Sequence, residues 1–333
     1  MSALGRSTGL SHPGRRRRHN EDAWVCDPPL FAIADGMGGA RAGEIASRVA
    51  ATALGEQVDG HGEARVEALI QAANRRVYER SNEDSSTSGM GTTITVALVE
   101  DGTVAIGHVG DSRAYLVRDR KLEQLTEDHS LVAELVRSGR LSPEEAESHP
   151  QRSVITRAIG TDPDVDVDSF SIEGKPGDLF LLCSDGLTDM VGDEGILETV
   201  ERSRDDLDAA AKELVGLANR SGGEDNITVV FFELVEEGAE RPADTKPMPA
   251  IDGEPGEEPD EDTLSGLEKV PAVETMVVPP EQAGEAAEKP RAEVEPPPEP
   301  KEHLSVQAAR VVVSLAVIAA LLLLVYWLFG QSQ

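Results

Sequence analysis

Apolar positions change period several times along the first two-thirds of the chain, and each change marks an element. Phe31-Ala32-Ile33-Ala34 is an unbroken apolar run of strand length, read as a buried strand, that ends in Asp35-Gly36-Met37-Gly38-Gly39. Helical periodicity opens near Gly43-Glu44, runs through Ala46 to Leu54 and returns from Val66 to Val77; a polar loop, Asn82 to Ser88, follows. Thr92 to Val99, Val104 to Val109 and Ala114 to Val117 are strand-like, separated by Asp101-Gly102 and Gly110-Asp111. That is the spacing of antiparallel hairpins rather than of alternating strand and helix. Leu131 to Ser138 is helical, and Ser142-Pro143-Glu144-Glu145 supplies a cap, a proline and an acidic first turn for another short helix. Leu179 to Cys183 is a continuous apolar strand, Asp193 to Val200 and Leu207 to Leu217 are helical, and Ile227 to Leu234 is a closing strand. Strands at both ends with helix pairs between them predict an α+β layered sandwich.

The pattern stops after Glu237. From Arg241 to Glu302 the chain is rich in Pro, Glu and Ala with no sustained apolar period, the composition of a disordered, extended linker. Val311 to Phe329 is then apolar throughout apart from Ser314. As a helix it is about 28 Å long, close to the hydrocarbon thickness of a bilayer. Tyr326 and Trp327 suit an interface, and Lys301 and Arg310 lie on the N-terminal side with no basic residue on the other. The positive-inside rule therefore predicts a single-pass C-terminal anchor with the large domain in the cytoplasm. The expected division is a globular domain over 7–237, a linker over 238–305 and a transmembrane helix over 308–330.

Charge narrows the partners. The 333 residues carry a formal net charge of −31, which disfavours a nucleic-acid backbone and favours divalent cations. The two cysteines, Cys26 and Cys183, read as inert buried thiols of a reducing compartment. No secretory signal opens the chain, since no apolar stretch of the right kind follows Arg15 to Arg18.

Five acidic positions stand out: Asp22 in Asn20-Glu21-Asp22, Asp35, Asp111 in Gly110-Asp111-Ser112-Arg113, Asp185 in Ser184-Asp185-Gly186 and Asp225 in Glu224-Asp225-Asn226. Each ends or follows a strand-like run beside Gly, Ser or Asn. In a layered sandwich such strand ends can converge at one rim, and carboxylates meeting there repel one another unless cations neutralise them. Any one of these turns alone is more simply a solvated turn, but five with matching flanks are not.

Taken in order, the motifs resemble those of the metal-dependent protein serine/threonine phosphatases, the type 2C family, in its bacterial form. They are Arg17-Arg18-His19-Asn20-Glu21-Asp22, Ala34-Asp35-Gly36-Met37-Gly38-Gly39, Gly91-Thr92-Thr93 and Val109-Gly110-Asp111-Ser112-Arg113-Ala114. Leu125-Thr126-Glu127-Asp128-His129-Ser130, Cys183-Ser184-Asp185-Gly186-Leu187 and Asp225-Asn226-Ile227-Thr228 complete the set. The resemblance covers roughly Ser7 to Val235 and implies an α-β-β-α sandwich of two mostly antiparallel sheets flanked by helices. It implies hydrolysis of phosphoserine and phosphothreonine in proteins by a hydroxide bridging two Mn²⁺ or Mg²⁺ ions, with a third ion as a further option. Asp35 is then the bridging ligand and the Gly36 carbonyl a ligand of one ion. Asp185 and Asp225 complete the other, Glu21 and Asp22 hold metal-bound waters, and Asp111 belongs to the third site. Arg17 grips the substrate phosphate, an arginine fork matching two of its oxygens.

Animal members carry a histidine, proposed as general acid, where Met37 stands, so the leaving-group donor is unassigned; a metal-bound water near Asp111 is one option. Arg113 is expected in a structural ion pair, and His129 as a loop or capping residue rather than a catalyst. Leu131 to Thr156 corresponds to the family's flap, with Gly139 and Pro143 suited to a movable element that shapes substrate choice. The implied setting is serine/threonine kinase signalling at a membrane. Two other readings are a catalytically inactive membrane-tethered scaffold that binds phosphoproteins, and a binuclear-metal hydrolase of small phosphoesters. No expected carboxylate is missing, which speaks against the first; the second is separated by rates on phosphopeptides and nucleotides.

Overall fold

The computed structural model describes residues 2–38, 42–83, 85–238 and the backbone of 276–277. The first strands are β1 (Ser2–His12), β2 (Asp22–Asp27) and β3 (Leu30–Met37), followed by helices α1 (Ala42–Ala53) and α2 (Glu63–Glu83). Next come β4 (Gly91–Thr92), β5 (Ile94–Glu100), β6 (Thr103–Val109), β7 (Arg113–Arg118) and β8 (Lys121–Gln124). Helices α3 (Leu131–Arg137) and α4 (Pro143–Glu147) precede β9 (Val154–Ile155), β10 (Asp168–Glu173) and β11 (Leu179–Cys183). The last elements are α5 (Asp185–Thr188), α6 (Asp193–Arg202), α7 (Leu207–Ser221), β12 (Ile227–Glu236) and β13 (Met276–Val277).

Two antiparallel sheets form the middle of the molecule. One has the order β1-β12-β11-β7-β8 and the other β10-β6-β5-β3-β2. The unbroken apolar runs follow from burial on both strand faces. Along β3, Phe31 and Ile33 join the core between the sheets, while Ala32 and Ala34 face α1 and α2. Along β11, Phe180 and Leu182 point between the sheets, and Leu179, Leu181 and Cys183 pack with α6 and α7. β12 alternates likewise, with Val230, Phe232 and Leu234 inward and Ile227, Val229 and Phe231 toward the helices. This is the expected α-β-β-α layering.

The period of two carries function to the rim. Asp35 continues the inward series Phe31, Ile33; Ser184 continues Phe180, Leu182; Thr228 precedes Val230. Asp22 shares the parity of Trp24 and Cys26, which also pack between the sheets. The inward face of four strands thus ends in polar groups at one edge of the sandwich.

Three expectations change. The β5–β6 hairpin turns at Asp101-Gly102, both at positive φ, as a two-residue hairpin loop requires. Gly110-Asp111 is not a second hairpin: β7 leaves the sheet of β6 and pairs with β11 and β8 in the other. Strand spacing does not distinguish a return from a crossing. The domain also begins earlier than Ser7, because β1 pairs with β12 from Ser2↔Glu236 to His12↔Ile227. Its sparse apolar residues suit an edge strand. Finally, both cysteines are free, but only Cys183 is fully buried; Cys26 is half-buried.

Most of the expected linker and the whole expected transmembrane segment lie outside the described residues. Inside the linker span, Met276–Val277 pair as a strand, parallel to Val154–Ile155. Among the described residues no helix is long and apolar enough to cross a membrane.

The two sheets are joined by stacked rings: Phe232 lies 4.3 Å from Phe31 and 4.8 Å from Phe180, centroid to centroid. Phe232→Ala is therefore expected to lower stability by about 3–5 kcal/mol, through lost burial and a residual cavity. Urea unfolding of the chain followed by fluorescence measures this, and a loss below about 1 kcal/mol would contradict the central place given to that ring.

Candidate active site

At the rim, backbone pairing sets the acids side by side. Asp22 is opposite Asp35 in the β2–β3 register. Thr93 holds Asp35 in place: its hydroxyl accepts from the Asp35 N–H at 3.1 Å, and its own N–H donates to the Asp35 carbonyl at 2.9 Å. Gly36 is pinned so closely that an added Cβ would lie 2.2 Å from the Gly43 carbonyl oxygen and 2.6 Å from that of Glu21. Only glycine fits there. Gly186 does the same on the other sheet, with the Asn226 carbonyl oxygen 2.0 Å from where a Cβ would stand. That contact presses the Asp185 turn onto the Asp225 turn.

Hydroxyls and one amide complete the frame. Ser184 precedes α5 without capping it; its hydroxyl donates instead to Asp22 Oδ2 at 3.0 Å, and Thr228 Oγ1 donates to the same oxygen. Asn226 Oδ1 accepts from the Glu21 N–H at 2.7 Å, while its Nδ2 donates to the carbonyls of Pro13 and His19, each at 3.0 Å. One side chain thereby binds the whole loop carrying Arg17 and Glu21 to the turn carrying Asp225. Sequence reasoning assigned no role to Ser184, Asn226 or Thr228. Their only signal was membership in the two motifs around Asp185 and Asp225.

The electrostatics show that the acids meet. Burial raises Asp35 well above the carboxylate range, and the charges of Asp22, Asp185, Asp225 and Asp111 raise it further. Asp185 is raised by burial and then by Asp111, Asp225, Asp189 and Asp22. Asp22 and Asp111 are each pushed to about 7, chiefly by burial. Glu21 is raised by burial, with Arg17 opposing. Asp22, Asp35, Asp111, Asp185 and Asp225 therefore form one electrostatic cluster.

Arg17 is the cation at this site. Of the four consecutive arginines it alone is half-buried, and its Nη2 donates to Asp225 Oδ2 at 2.7 Å. Burial works against its charge, but Asp225, Glu21 and Asp35 outweigh that and raise it. Arg15 and Arg16 serve the backbone, both N–H groups donating to the Gly223 carbonyl.

The donor set fits divalent cations. Asp22 Oδ1 and Asp185 Oδ1 are buried without a hydrogen-bond partner. An orphaned carboxylate oxygen among like charges is costly unless a cation sits against it. No three acidic, histidine or cysteine side chains among the described residues form a finished ligand set. Asp225 uses Oδ2 on Arg17 and Oδ1 on the Asn226 N–H, while Asp22 uses Oδ2 on the two hydroxyls.

A family model for protein phosphatase 2C matches residues 8–217. The chain belongs to that family. The serine/threonine protein phosphatase PstP of Mycobacterium tuberculosis is 42% identical over 235 residues, 69% of this chain and 45% of PstP. The match thus spans about half the length of that relative. The serine/threonine phosphatase stp of Listeria monocytogenes is 40% identical over 233 residues, 66% of this chain and 92% of its own length. The crystal structure of PstP superposes with a TM-score of 0.66 at 40% identity, over 70% of this chain and 100% of that one. The catalytic domain of PstP in complex with two manganese ions gives 0.65 at 38% identity, over 71% and 100%.

In this 2C-family chain a cleft of about 1080 Å³ runs from Asp111 and Asp185 to α3 and α4, the flap segment. The flap helices are well made: Ser130 caps α3, and Ser142 with Glu145 forms a capping box on α4. Arg113 forms the expected structural pair, its Nε and Nη2 gripping Asp128. His129 is a structural brace. Its Nδ1 accepts from the Gly110 N–H at 3.0 Å, its Nε2 faces Asp168 at 3.1 Å, and its carbonyl accepts from the Thr156 N–H at 2.8 Å. It ties the turn bearing Asp111 to the foot of the flap, and neither ring nitrogen is left for chemistry.

The raised carboxylates dictate a pH dependence. In the folded, metal-free chain Asp22, Asp35, Asp111 and Asp185 keep protons that the unfolded chain has already released above about pH 4. Through these acids folding binds protons between about pH 4 and 7. His108, pushed down to about 3 by burial, and His129, also lowered, work the other way below about pH 6.5. Four acids against two histidines leave stability falling as pH rises, most steeply above that point. Asp168 and Glu233, held low by His129 with Arg157 and by Arg6 despite burial, act only at more acidic pH. Thermal melts in EDTA should drop from about pH 5 to 8, and Mn²⁺ should restore the melting temperature at pH 8 while adding little at pH 5. A metal-free melting temperature that rises over that range would contradict the cluster.

Proposed function

We propose that this chain hydrolyses phosphoserine and phosphothreonine in proteins at the carboxylate rim, using two divalent cations, Mn²⁺ or Mg²⁺. The observation that carries the reading is the convergence of Asp22, Asp35, Asp111, Asp185 and Asp225 into one partly buried, mutually repelling cluster with orphaned oxygens. Family membership and the two manganese ions of the PstP catalytic domain support it. A bound cation pair supplies Lewis acidity, which acidifies water and offsets phosphoryl charge.

The chain's own groups have separable tasks. Asp35, fixed at both backbone atoms by Thr93, would be a principal ligand of the cations, with the Gly36 carbonyl beside it. Asp185 and Asp225 would hold the second ion, Glu21 and Asp22 would hold metal-bound waters, and Asp111 would serve a third, weaker site. Arg17 binds the substrate phosphate and offsets its charge against the acidic rim. Its pairing with Asp225 keeps the guanidinium at the site's edge. The cleft beside α3 and α4 receives the peptide around the phosphorylated residue. We also place the domain on the cytoplasmic side of a membrane, tethered through 238–305 to the apolar stretch Val311 to Phe329, where serine/threonine kinases supply its substrates.

Hydrolysis of a phosphothreonine peptide is expected to require Mn²⁺ or Mg²⁺ and to fall at least about a hundredfold in Asp35→Asn and Asp225→Asn. Arg17→Ala removes charge-assisted bonds worth about 1.5–3 kcal/mol, so KM should rise about 10- to 100-fold with a smaller change in kcat. An Arg17→Ala enzyme with unaltered KM would assign the phosphate to another residue. Equal rates on nucleotides and phosphopeptides would favour the small-phosphoester reading instead.

A further inference from the structure

β9 is two residues long, yet it stands at the junction of site, flap and tail. Ile155 bridges Ser130, the cap of α3, and packs with Met37 and Ala158, Met37 being two residues beyond Asp35. Arg152 and Ser153, immediately before β9, line the cleft together with Asp111 and Asp185. Val154 and Ile155 also pair in parallel with Met276 and Val277. A strand belonging to the chain's own C-terminal stretch therefore pairs with the two residues that directly follow the cleft-lining Arg152 and Ser153.

The sequence around that strand sets it apart. Val273-Glu274-Thr275-Met276-Val277-Val278 is the only six-residue window between 241 and 302 with four residues from Val, Ile, Leu, Met and Phe. Pro279-Pro280 follow and stop further pairing. β-Branched and apolar residues ended by proline have the make-up of a short segment that docks by adding a strand to an edge.

The length between domain and segment suits the contact. β12 carries the chain from the Asp225 turn to Glu236, about 30 Å from the rim at strand rise. The composition of 238–275 is that of a coil, and a coil of about 40 residues has a root-mean-square span of about 35 Å. A coil matched to its span holds the segment at an effective concentration of about 1 mM, enough to occupy an edge of weak intrinsic affinity.

We propose that the edge of β9 is a docking edge for extended peptide at the mouth of the active site. The chain's own Met276–Val277 segment occupies it and competes with the main chain of phosphopeptide substrates. The competition rests on the phosphatase reading above; the docking does not. Because the segment pairs next to Arg152 and Ser153 of the cleft wall and not with the turns that carry the carboxylates, it hinders peptides and leaves small phosphoesters unhindered.

The test uses the full chain in detergent, compared with M276P/V277P, which removes the N–H groups of both β13 residues and with them the one that faces β9. Hydrogen exchange at Ile155 should quicken severalfold in the proline variant, while Val154, whose N–H donates to the Gln151 carbonyl, should not change. KM for a phosphothreonine peptide should fall about twofold to tenfold, as an intramolecular competitor at about 1 mM dictates for segment affinities of about 1 to 0.1 mM. KM and kcat for p-nitrophenyl phosphate should stay the same. A synthetic peptide of residues 270–281 added to the variant should raise the phosphopeptide KM again. Unchanged exchange at Ile155 overturns the docking. Faster exchange with an unchanged peptide KM, or an equal shift for both substrates, overturns the competition. If neither protein cleaves any phosphopeptide, the phosphatase reading fails, while the exchange result still decides the docking.

Discussion

Like charge gathered at one edge of a two-sheet sandwich is the constraint on which this molecule turns. Asp22, Asp35, Asp111, Asp185 and Asp225 come from five separate stretches, and each is placed by backbone rather than by attraction to its neighbours. The folding energy comes from elsewhere, chiefly the packed faces of β3, β11 and β12. Stability gained in the layers is thereby offset at the rim, as is common where function demands an unfavourable arrangement.

The means of holding the rim together are local. Gly36 and Gly186 let two backbones touch where any side chain would part them. Ser184 and Thr228 converge on one oxygen of Asp22 and leave the other bare. Asn226 joins three backbone groups of the arginine loop to the Asp225 turn. Each of these bonds orients an acid without neutralising it, which is what an outer shell around a cation requires.

Much of this was legible in the chain. Continuous apolar runs marked the strands covered on both faces, and recurring Asp-Gly, Asp-Ser and Asp-Asn turns marked the rim. What escaped has physical reasons. β1 has only Leu4 and Leu10 as large apolar residues and sits at an edge, so burial left little imprint on it. β10 does alternate, through Phe170 and Ile172, but over too few residues to stand out from the loop around it. The crossing at Gly110 looks like a hairpin because a turn's residues record its local angle and not its destination. Asn226 reaches residues some two hundred positions away, and no periodicity records such a contact. The pairing of Arg17 with Asp225 is hidden for the same reason.

The zipper of β1 on β12 has a mechanical side. Ser2 faces Glu236, so the two ends of the sandwich leave it together, at the edge opposite the acids. β12 is flanked by β1 and β11, and a pull along it from the residues beyond Glu236 loads two ladders in shear, all rungs at once. Force entering by that route is spread through the interior of a sheet before it can reach the acidic rim.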